Sequence, residues 1–262
     1  MSDLIKQKII NSWISVTSYE DATHRIEDLA KPSASCYIIA ANVHVVMTAY
    51  WQPHYQNIIN QAALVTPDGM PLVFGMRLLG IKNQTRVYGP DLMLACCDRF
   101  QKTKTPIYLY GSTTTTLENL QHRLKQHFPN LIIAGTHAPP FRPLTPEEEA
   151  TDIKRIHHSG AKVVFVSLGC PKQEEWMARQ QGKLGAVMIG VGAAFSFHSG
   201  EVSQAPRWLM KLGLEWLYRF SQEPRRLWKR YLINNPTFLV LFARQLLKEK
   251  IFSHETPSSK IE

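Results

Sequence analysis

Long apolar runs are missing from this 262-residue chain. No uninterrupted stretch reaches the roughly 20 residues that cross a bilayer, so a spanning helix is excluded. The opening residues, Met1-Ser2-Asp3-Leu4-Ile5-Lys6-Gln7-Lys8, lack an apolar h-region, and no signal peptide is expected. Cysteine is scarce. The four residues, Cys36, Cys96, Cys97 and Cys170, form no CxxC pair. They are expected to be reduced and structural, in a cytosolic protein. Adjacent Cys96 and Cys97 read as buried helix packing rather than redox chemistry. There is no GxxxxGK[ST] P-loop, no HExxH and no spaced Cys/His set, so neither a P-loop nor a protein-built zinc site is expected. A DxD pair that could hold a metal against a sugar-nucleotide diphosphate is also absent. Internal repeats and low-complexity segments are lacking.

What is present suits a globular core: 44% of residues are apolar, and aromatic residues are plentiful. The length allows one large domain or one domain with an appendage. Charge is uneven. The net formal charge is +9, and Ala205 to Lys250 alone holds ten Lys/Arg against three Asp/Glu, a net of +7. Such a segment binds something anionic: nucleic acid, anionic lipid or a phosphorylated substrate.

Five segments share one pattern, an apolar run followed by a polar or glycine-rich turn. They are Ile38-Ile39-Ala40-Ala41-Asn42, Leu64-Val65-Thr66-Pro67-Asp68-Gly69, Ile107-Tyr108-Leu109-Tyr110-Gly111-Ser112, Val163-Val164-Phe165-Val166-Ser167-Leu168-Gly169 and Val187-Met188-Ile189-Gly190-Val191-Gly192. Each precedes a stretch that reads as helix. The pattern predicts an α/β fold, a Rossmann-like parallel sheet with helical crossovers. Ligands then bind beyond the carboxyl ends of the strands, where these turns sit. Leu131 to Ala134 reads as a sixth strand. Helices are predicted from Asp68-Gly69-Met70-Pro71 to about Leu79, from Pro90 to about Lys102, and from Thr113 to Phe128. Two more open at Thr145-Pro146, with acids in the first turn, and at Pro171.

The character changes near Ala205-Pro206. Beyond it Trp208, Trp216, Tyr218, Trp228 and Tyr231 interleave with arginines and lysines. Pro236 to Lys250 predicts an amphipathic helix carrying Phe238, Leu239, Phe242, Leu246 and Leu247. Basic residues with Trp and Leu suit a helix lying in a membrane interface; a terminal helix docked on the core with a solvated basic face is the alternative. The expected organisation is an α/β core over 1–204, a basic helical membrane and acceptor appendage over 205–252, and a disordered tail over 253–262.

Asp68 is the sharpest single residue. A carboxylate directly after a strand and before a helix can be a general base or a helix N-cap. Gly111-Ser112-Thr113 and Gly190-Val191-Gly192 are candidate phosphate or nucleotide cradles. The second begins as GxG but has Phe195 where a dinucleotide fingerprint needs Gly or Ala. His44 and His198 follow strand ends and read as packing histidines. In Gly169-Cys170-Pro171-Lys172-Gln173-Glu174, Lys172 can meet a phosphate and Gln173 a sugar hydroxyl or uracil edge. Without a metal-holding pair, a leaving diphosphate would need Arg, Lys and backbone N–H groups; Arg86, Lys172 and the C-terminal arginines are candidates.

Taken in order, five motifs resemble the WecG/TagA/CpsF glycosyltransferases (family twenty-six, N-acetylmannosaminyltransferase-like). They are Thr66-Pro67-Asp68-Gly69-Met70-Pro71-Leu72-Val73, Arg86-Val87-Tyr88-Gly89-Pro90-Asp91-Leu92, Gly169-Cys170-Pro171-Lys172-Gln173-Glu174, Val191-Gly192-Ala193-Ala194-Phe195, and Gly213-Leu214-Glu215-Trp216-Leu217-Tyr218-Arg219 followed by Glu223-Pro224-Arg225-Arg226. The likeness runs from about Ala40 to Tyr231. It implies an inverting, metal-independent transfer of a hexose or N-acetylhexosamine, N-acetylmannosamine-type or glucose-type, from a UDP-sugar. The implied acceptor is a polyprenyl-diphosphate-linked sugar at the cytoplasmic face of the plasma membrane, in surface polysaccharide biosynthesis. By resemblance, Asp68 is the base and Arg86 an active-site arginine. Asn42, Gly111, Ser112, Gly169, Lys172, Gln173, Gly192 and Phe195 are expected at the substrate site. Arg219, Arg225, Arg226 and Arg230 are expected at the acceptor diphosphate and the membrane. Two positions depart from the pattern. Ala40-Ala41-Asn42 stands where teichoic-acid members carry Thr-Pro-Asn, and Ser196 stands where members often carry Asp.

The resulting expectation is a UDP-sugar-dependent hexosyltransferase with no cofactor, peripheral at an anionic membrane surface, with a homo-oligomer left open. A basic single-stranded nucleic-acid-binding α/β protein is the rival from another class. Against it, the charge is confined to one terminal segment while the signal turns surround a pocket, so no nucleic-acid partner is expected. An epimerase or dehydrogenase is a second rival, opposed by the incomplete dinucleotide fingerprint.

Overall fold

Six parallel strands form the central sheet of the computed structural model, which describes residues 4–31 and 34–254, with side chains as far as Glu249. The chain begins with a hairpin, β1 (Lys6–Ile9) and β2 (Ser12–Ser15), followed by α1 (Tyr19–Ala30). Then come β3 (Tyr37–Ala41), α2 (Val43–Trp51), α3 (Pro53–Gln61), β4 (Leu64–Pro67), α4 (Met70–Leu78) and α5 (Gly89–Thr103). The second half holds β5 (Ile107–Gly111), α6 (Thr114–His127), β6 (Ile133–His137), α7 (Pro146–His158), β7 (Val163–Ser167), α8 (Lys172–Gln180) and β8 (Val187–Gly190). Four helices end the described residues: α9 (Ala194–Ser199), α10 (Arg207–Lys211), α11 (Glu215–Gln222) and α12 (Pro224–His254). The sheet order is β4-β3-β8-β7-β5-β6, the Rossmann-like arrangement that the five signal turns predict.

Side-chain alternation explains how the sheet is covered on both faces. Tyr37, Ile39 and Ala41 pack in one core with Tyr108, Tyr110, Val164, Val166 and Met188. Their neighbours Ile38, Ile107, Leu109, Val163, Phe165, Val187 and Ile189 pack in the other. The first face is covered by α2, α3, α8 and α12, the second by α1, α5, α6 and α9. Adjacent β3 and β8 therefore send α2 and α9 to opposite faces. That divergence opens a crevice at their carboxyl ends.

Three expectations shift. The sixth strand is Ile133–His137 rather than Leu131 to Ala134. Leu131 is a loop residue turned into the core, and the pairing with β5 is irregular between Ile107 and Tyr108. The amphipathic helix begins at Pro224, and Pro236 lies inside it instead of opening it. Proline in a helix interior loses an i→i−4 hydrogen bond. The helix nevertheless continues through it, with Leu227, Tyr231, Phe238 and Phe242 buried along one stripe at spacings of four, seven and four. The same helix takes in Ser253 and His254, where the tail was expected to start; 255–262 lie outside the described residues.

The N-terminal hairpin was not foreseen. It covers the edge of the sheet: the Val65 N–H of edge strand β4 donates to Ser15 Oγ at 3.0 Å. It also holds the C-terminal helix. Gln245 Oε1 accepts from the Ile10 N–H at 2.7 Å, and Gln245 Nε2 donates to the Lys8 carbonyl at 2.8 Å. Phe238 and Phe242 stack at 5.8 Å and enter the first core. A Cβ on Gly75 would stand 3.0 Å from Phe242, so α4 leaves room for that ring. Phe242→Ala should cost about 3–5 kcal/mol in urea unfolding; a loss below about 1 kcal/mol would mean that α12 is not part of the core.

Candidate active site

The signal turns open into one cleft of about 1110 Å³. Asn42 follows β3, Asp68 follows β4, Ser112 follows β5, Gly169 follows β7, and Gly192 follows β8; all five line it. Its other wall comes from the basic C-terminal segment, through Glu215, Arg219, Arg226, Arg230 and Asn234.

Asp68 is 9% exposed. Its N–H donates to the Ala41 carbonyl at 2.8 Å, which ties the turn to β3. It does not cap its own helix: Gly69 is the N-cap of α4 and makes no side-chain bond. The carboxylate instead accepts the Gly89 N–H at 2.8 Å, at the start of α5. Arg86 wraps this turn. Its Nε donates to the Asp68 carbonyl, its Nη2 donates to Glu215 Oε2 at 2.6 Å, and Nη2 stands 3.7 Å from Asp68 Oδ1. The guanidinium stacks over the Tyr88 ring at 4.1 Å, and the Tyr88 hydroxyl donates to Glu215 Oε1 at 3.0 Å. Burial pushes the Asp68 carboxyl up to about 6; Arg86 and the Gly89 N–H oppose the rise and Glu215 reinforces it. A carboxylate poised just below neutrality can take a proton at physiological pH.

Beside it, Asn42 caps α2 by accepting the His44 and Val45 N–H groups, at 3.0 and 3.3 Å. Arg230 reaches the same Oδ1 at 3.5 Å, and its buried Nε has no hydrogen-bond partner among the described residues. Burial depresses the His44 pKa to about 4, helped by Arg230, so this histidine is neutral. His198 donates to the Pro90 carbonyl at 2.9 Å, a packing role.

Across the cleft, Gln173 is locked at both ends of its amide. Oε1 accepts the Gly192 N–H at 3.2 Å, and Nε2 donates to Glu174 Oε1 at 2.7 Å. Burial raises the Glu174 carboxyl to about 7. Gly192 has φ +56° and nothing within 4 Å of a Cβ placed there, so its turn is open to a ligand. Ser167 Oγ donates to the Gly192 carbonyl at 2.7 Å.

Four expected site residues stand elsewhere. Gly111 is packed into the sheet end: with φ +119°, a Cβ there would meet the Ser167 carbonyl at 2.4 Å. Phe195 is fully buried in the second core, because α9 turns that side chain toward the sheet. Lys172 and Arg225 are exposed and do not line the cleft. Conversely, sequence reasoning gave no role to Glu215, Tyr88 or Glu201. Glu215 lies within one of the quoted motifs, and an acid set in a strongly basic segment was the available signal. Among the described residues, no group of three or more His, Cys, Asp or Glu side chains is placed to hold a metal ion.

The family model described as "Glycosyl transferase WecG/TagA/CpsF family" matches residues 7–251. Among curated relatives, a Bacillus spizizenii protein is 31% identical over 75% of this chain and 74% of its own length. A Staphylococcus aureus protein is 31% identical, and one from Bacillus subtilis 28%, each over 82% of both chains. All three are named N-acetylglucosaminyldiphosphoundecaprenol N-acetyl-beta-D-mannosaminyltransferase.

The charges around Asp68 give a titration with opposite arms. Arg86→Met removes a nearby cation and should move the Asp68 pKa above about 6. Glu215→Gln removes a like charge and should move it below. Carbon-detected NMR titration of the carboxyl groups reads both; shifts of the same sign would refute this arrangement.

Proposed function

The chain belongs to the WecG/TagA/CpsF glycosyltransferase family, and from that premise we propose that it moves a hexose or N-acetylhexosamine from a UDP-sugar onto a polyprenyl-diphosphate-linked sugar, with inversion at the anomeric carbon. The observation that carries this reading is the near-neutral, buried Asp68, set in a cleft whose facing wall bears Arg219, Arg226 and Arg230. The names of the relatives support a polyprenyl-diphosphate acceptor.

In this mechanism an acceptor hydroxyl attacks the anomeric carbon while Asp68 takes its proton. The bond from that carbon to the β-phosphate oxygen breaks, and UDP leaves with the electron pair. Attack opposite the leaving group inverts the centre. Arg230, half-buried and among the described residues without an acidic partner at hydrogen-bond distance, is suited to the leaving or acceptor diphosphate, with Arg219 and Arg226 beside it. Arg86 orients the Asp68 turn through its bond to the backbone carbonyl. The Gln173 amide, fixed at both ends, keeps one N–H for a sugar or base.

Membrane attachment follows from the same segment. Among the described residues no helix is long and apolar enough to cross a membrane. Trp208, Leu212, Trp228 and Leu232 are nevertheless exposed, and exposed Lys211, Arg225 and Lys229 accompany them. Apolar side chains among basic ones bind an anionic lipid surface in the plane of the interface. In this reading the enzyme is peripheral at the inner face of the plasma membrane.

The deciding assay is UDP release from a panel of UDP-sugars, with a short-chain polyprenyl-diphosphate-GlcNAc or -hexose acceptor and chelator present. Acceptor-dependent release with one donor is expected; release that ignores the acceptor would sink the transfer reading. Asp68→Asn should retain donor binding and lose about 10²–10⁴ in turnover. Exchanging Trp208, Trp228 and Leu232 for Ser should abolish flotation with anionic liposomes; flotation equal to that of the parent protein would remove the membrane surface from the account.

A further inference from the structure

The cleft has two chemically different ends. Asp68 and Arg86 lie beyond β4, while Ser112, Thr113 and Thr116 lie beyond β5. Strands β3, β8 and β7 separate β4 from β5, so the two ends are about 19 Å apart at the usual strand spacing of about 4.8 Å. The β4 end and the roof carry the cations. The β5 end is rich in hydroxyls: Ser112, Thr113, Thr116, Ser167 and Ser196 all line the cleft there.

One carboxylate joins those hydroxyls. Glu201 follows α9 and also lines the cleft. The hydroxyl of Thr116, a residue 1% exposed, lies 2.8 Å from each Glu201 oxygen. Thr116 is itself anchored. Its N–H donates to Thr113 Oγ1 at 3.1 Å, and the two hydroxyls stand 2.7 Å apart. A buried side chain therefore holds an exposed carboxylate at the rim. No ion pair involves Glu201 among the described residues. This differs from Glu215, which is spent on Arg86 and Tyr88, and from Glu223, which pairs with Arg226. The Arg123 guanidinium packs against neighbouring Gly200, but among the described residues no cation reaches Glu201 at ion-pair distance; such a carboxylate, facing hydroxyl-lined space, is suited to accept from neutral donors, and a ribose diol offers two side by side.

We propose that Glu201, held by Thr116 at the β5 side of the cleft, accepts hydrogen bonds from the ribose hydroxyls of the donor nucleotide. This rests on the UDP-sugar reading above. It fixes the donor's direction: the nucleoside lies over β5 and β7, the diphosphate crosses the open Gly192 turn beneath Arg230, and the sugar reaches Asp68. Glu201 is a specificity residue for ribose and takes no part in proton transfer.

Calorimetric binding of UDP and of 2′,3′-dideoxy-UDP to the parent protein and to Glu201→Ala tests this. Glu201 is exposed, so the substitution leaves the core intact, and circular dichroism verifies the fold. For UDP, Glu201→Ala should weaken binding about 10- to 100-fold, the effect of losing hydrogen bonds to a charged acceptor. The dideoxy nucleotide should bind parent and variant alike. Thr116→Val should weaken UDP in the same direction by a smaller factor. Equal weakening of both nucleotides, or no weakening of UDP, would overturn the assignment. Failure of the parent protein to bind UDP would instead overturn the donor reading, and this proposal with it.

Discussion

A buried ion pair joins the two walls of the cleft. Arg86 precedes α5, Glu215 opens α11, and their side chains meet at 2.6 Å with 16% and 13% of each exposed. A pair this buried adds little net stability, because desolvation offsets the attraction, but leaving one partner alone costs about 3–5 kcal/mol. Its effect is therefore geometric. It sets the basic segment over the sheet end in one position, and Phe238 and Phe242 secure the same segment further along by burial in the core. Without that placement Arg219, Arg226 and Arg230 would have no cleft to face.

The same pair shapes the chemistry. Arg86 bonds the Asp68 backbone more closely than its carboxylate, which stands 3.7 Å away. Glu215 takes the strongest share of the guanidinium. Asp68 is thus left under-compensated in a buried setting, and its carboxyl titrates near 6 instead of near 4. A closer Arg86–Asp68 pair, at hydrogen-bond distance, would stabilise the ionised form further and make it a weaker base. Burial is the main cause of the rise, and the second acid reinforces it.

Much of this was legible in the chain. The strands could be read because each apolar run ends in a polar or glycine turn, and the positions of Asn42, Asp68, Ser112, Gly169 and Gly192 at the carboxyl ends of the strands follow from that. Which side chains face the cleft was not legible. Phe195 belongs to a quoted motif yet points into the core, Gly111 is a glycine because the Ser167 carbonyl crowds it, and Lys172 sits exposed at the start of α8. The Glu215 and Glu201 contacts join residues 129 and 85 positions apart, and local pattern does not encode such pairings. Pro236 argued for a helix start, but the buried stripe from Leu227 to Phe242 outweighs one lost hydrogen bond.

The central claim is that Asp68 acts as a base made reactive by burial and by Glu215. The pH dependence of kcat/KM tests it most directly. Activity should fall as pH drops through about 6, because protonation removes the base, and the Glu215→Gln limb should lie at lower pH. A profile flat between pH 5 and 8, or a limb that Glu215→Gln leaves in place, would contradict the account.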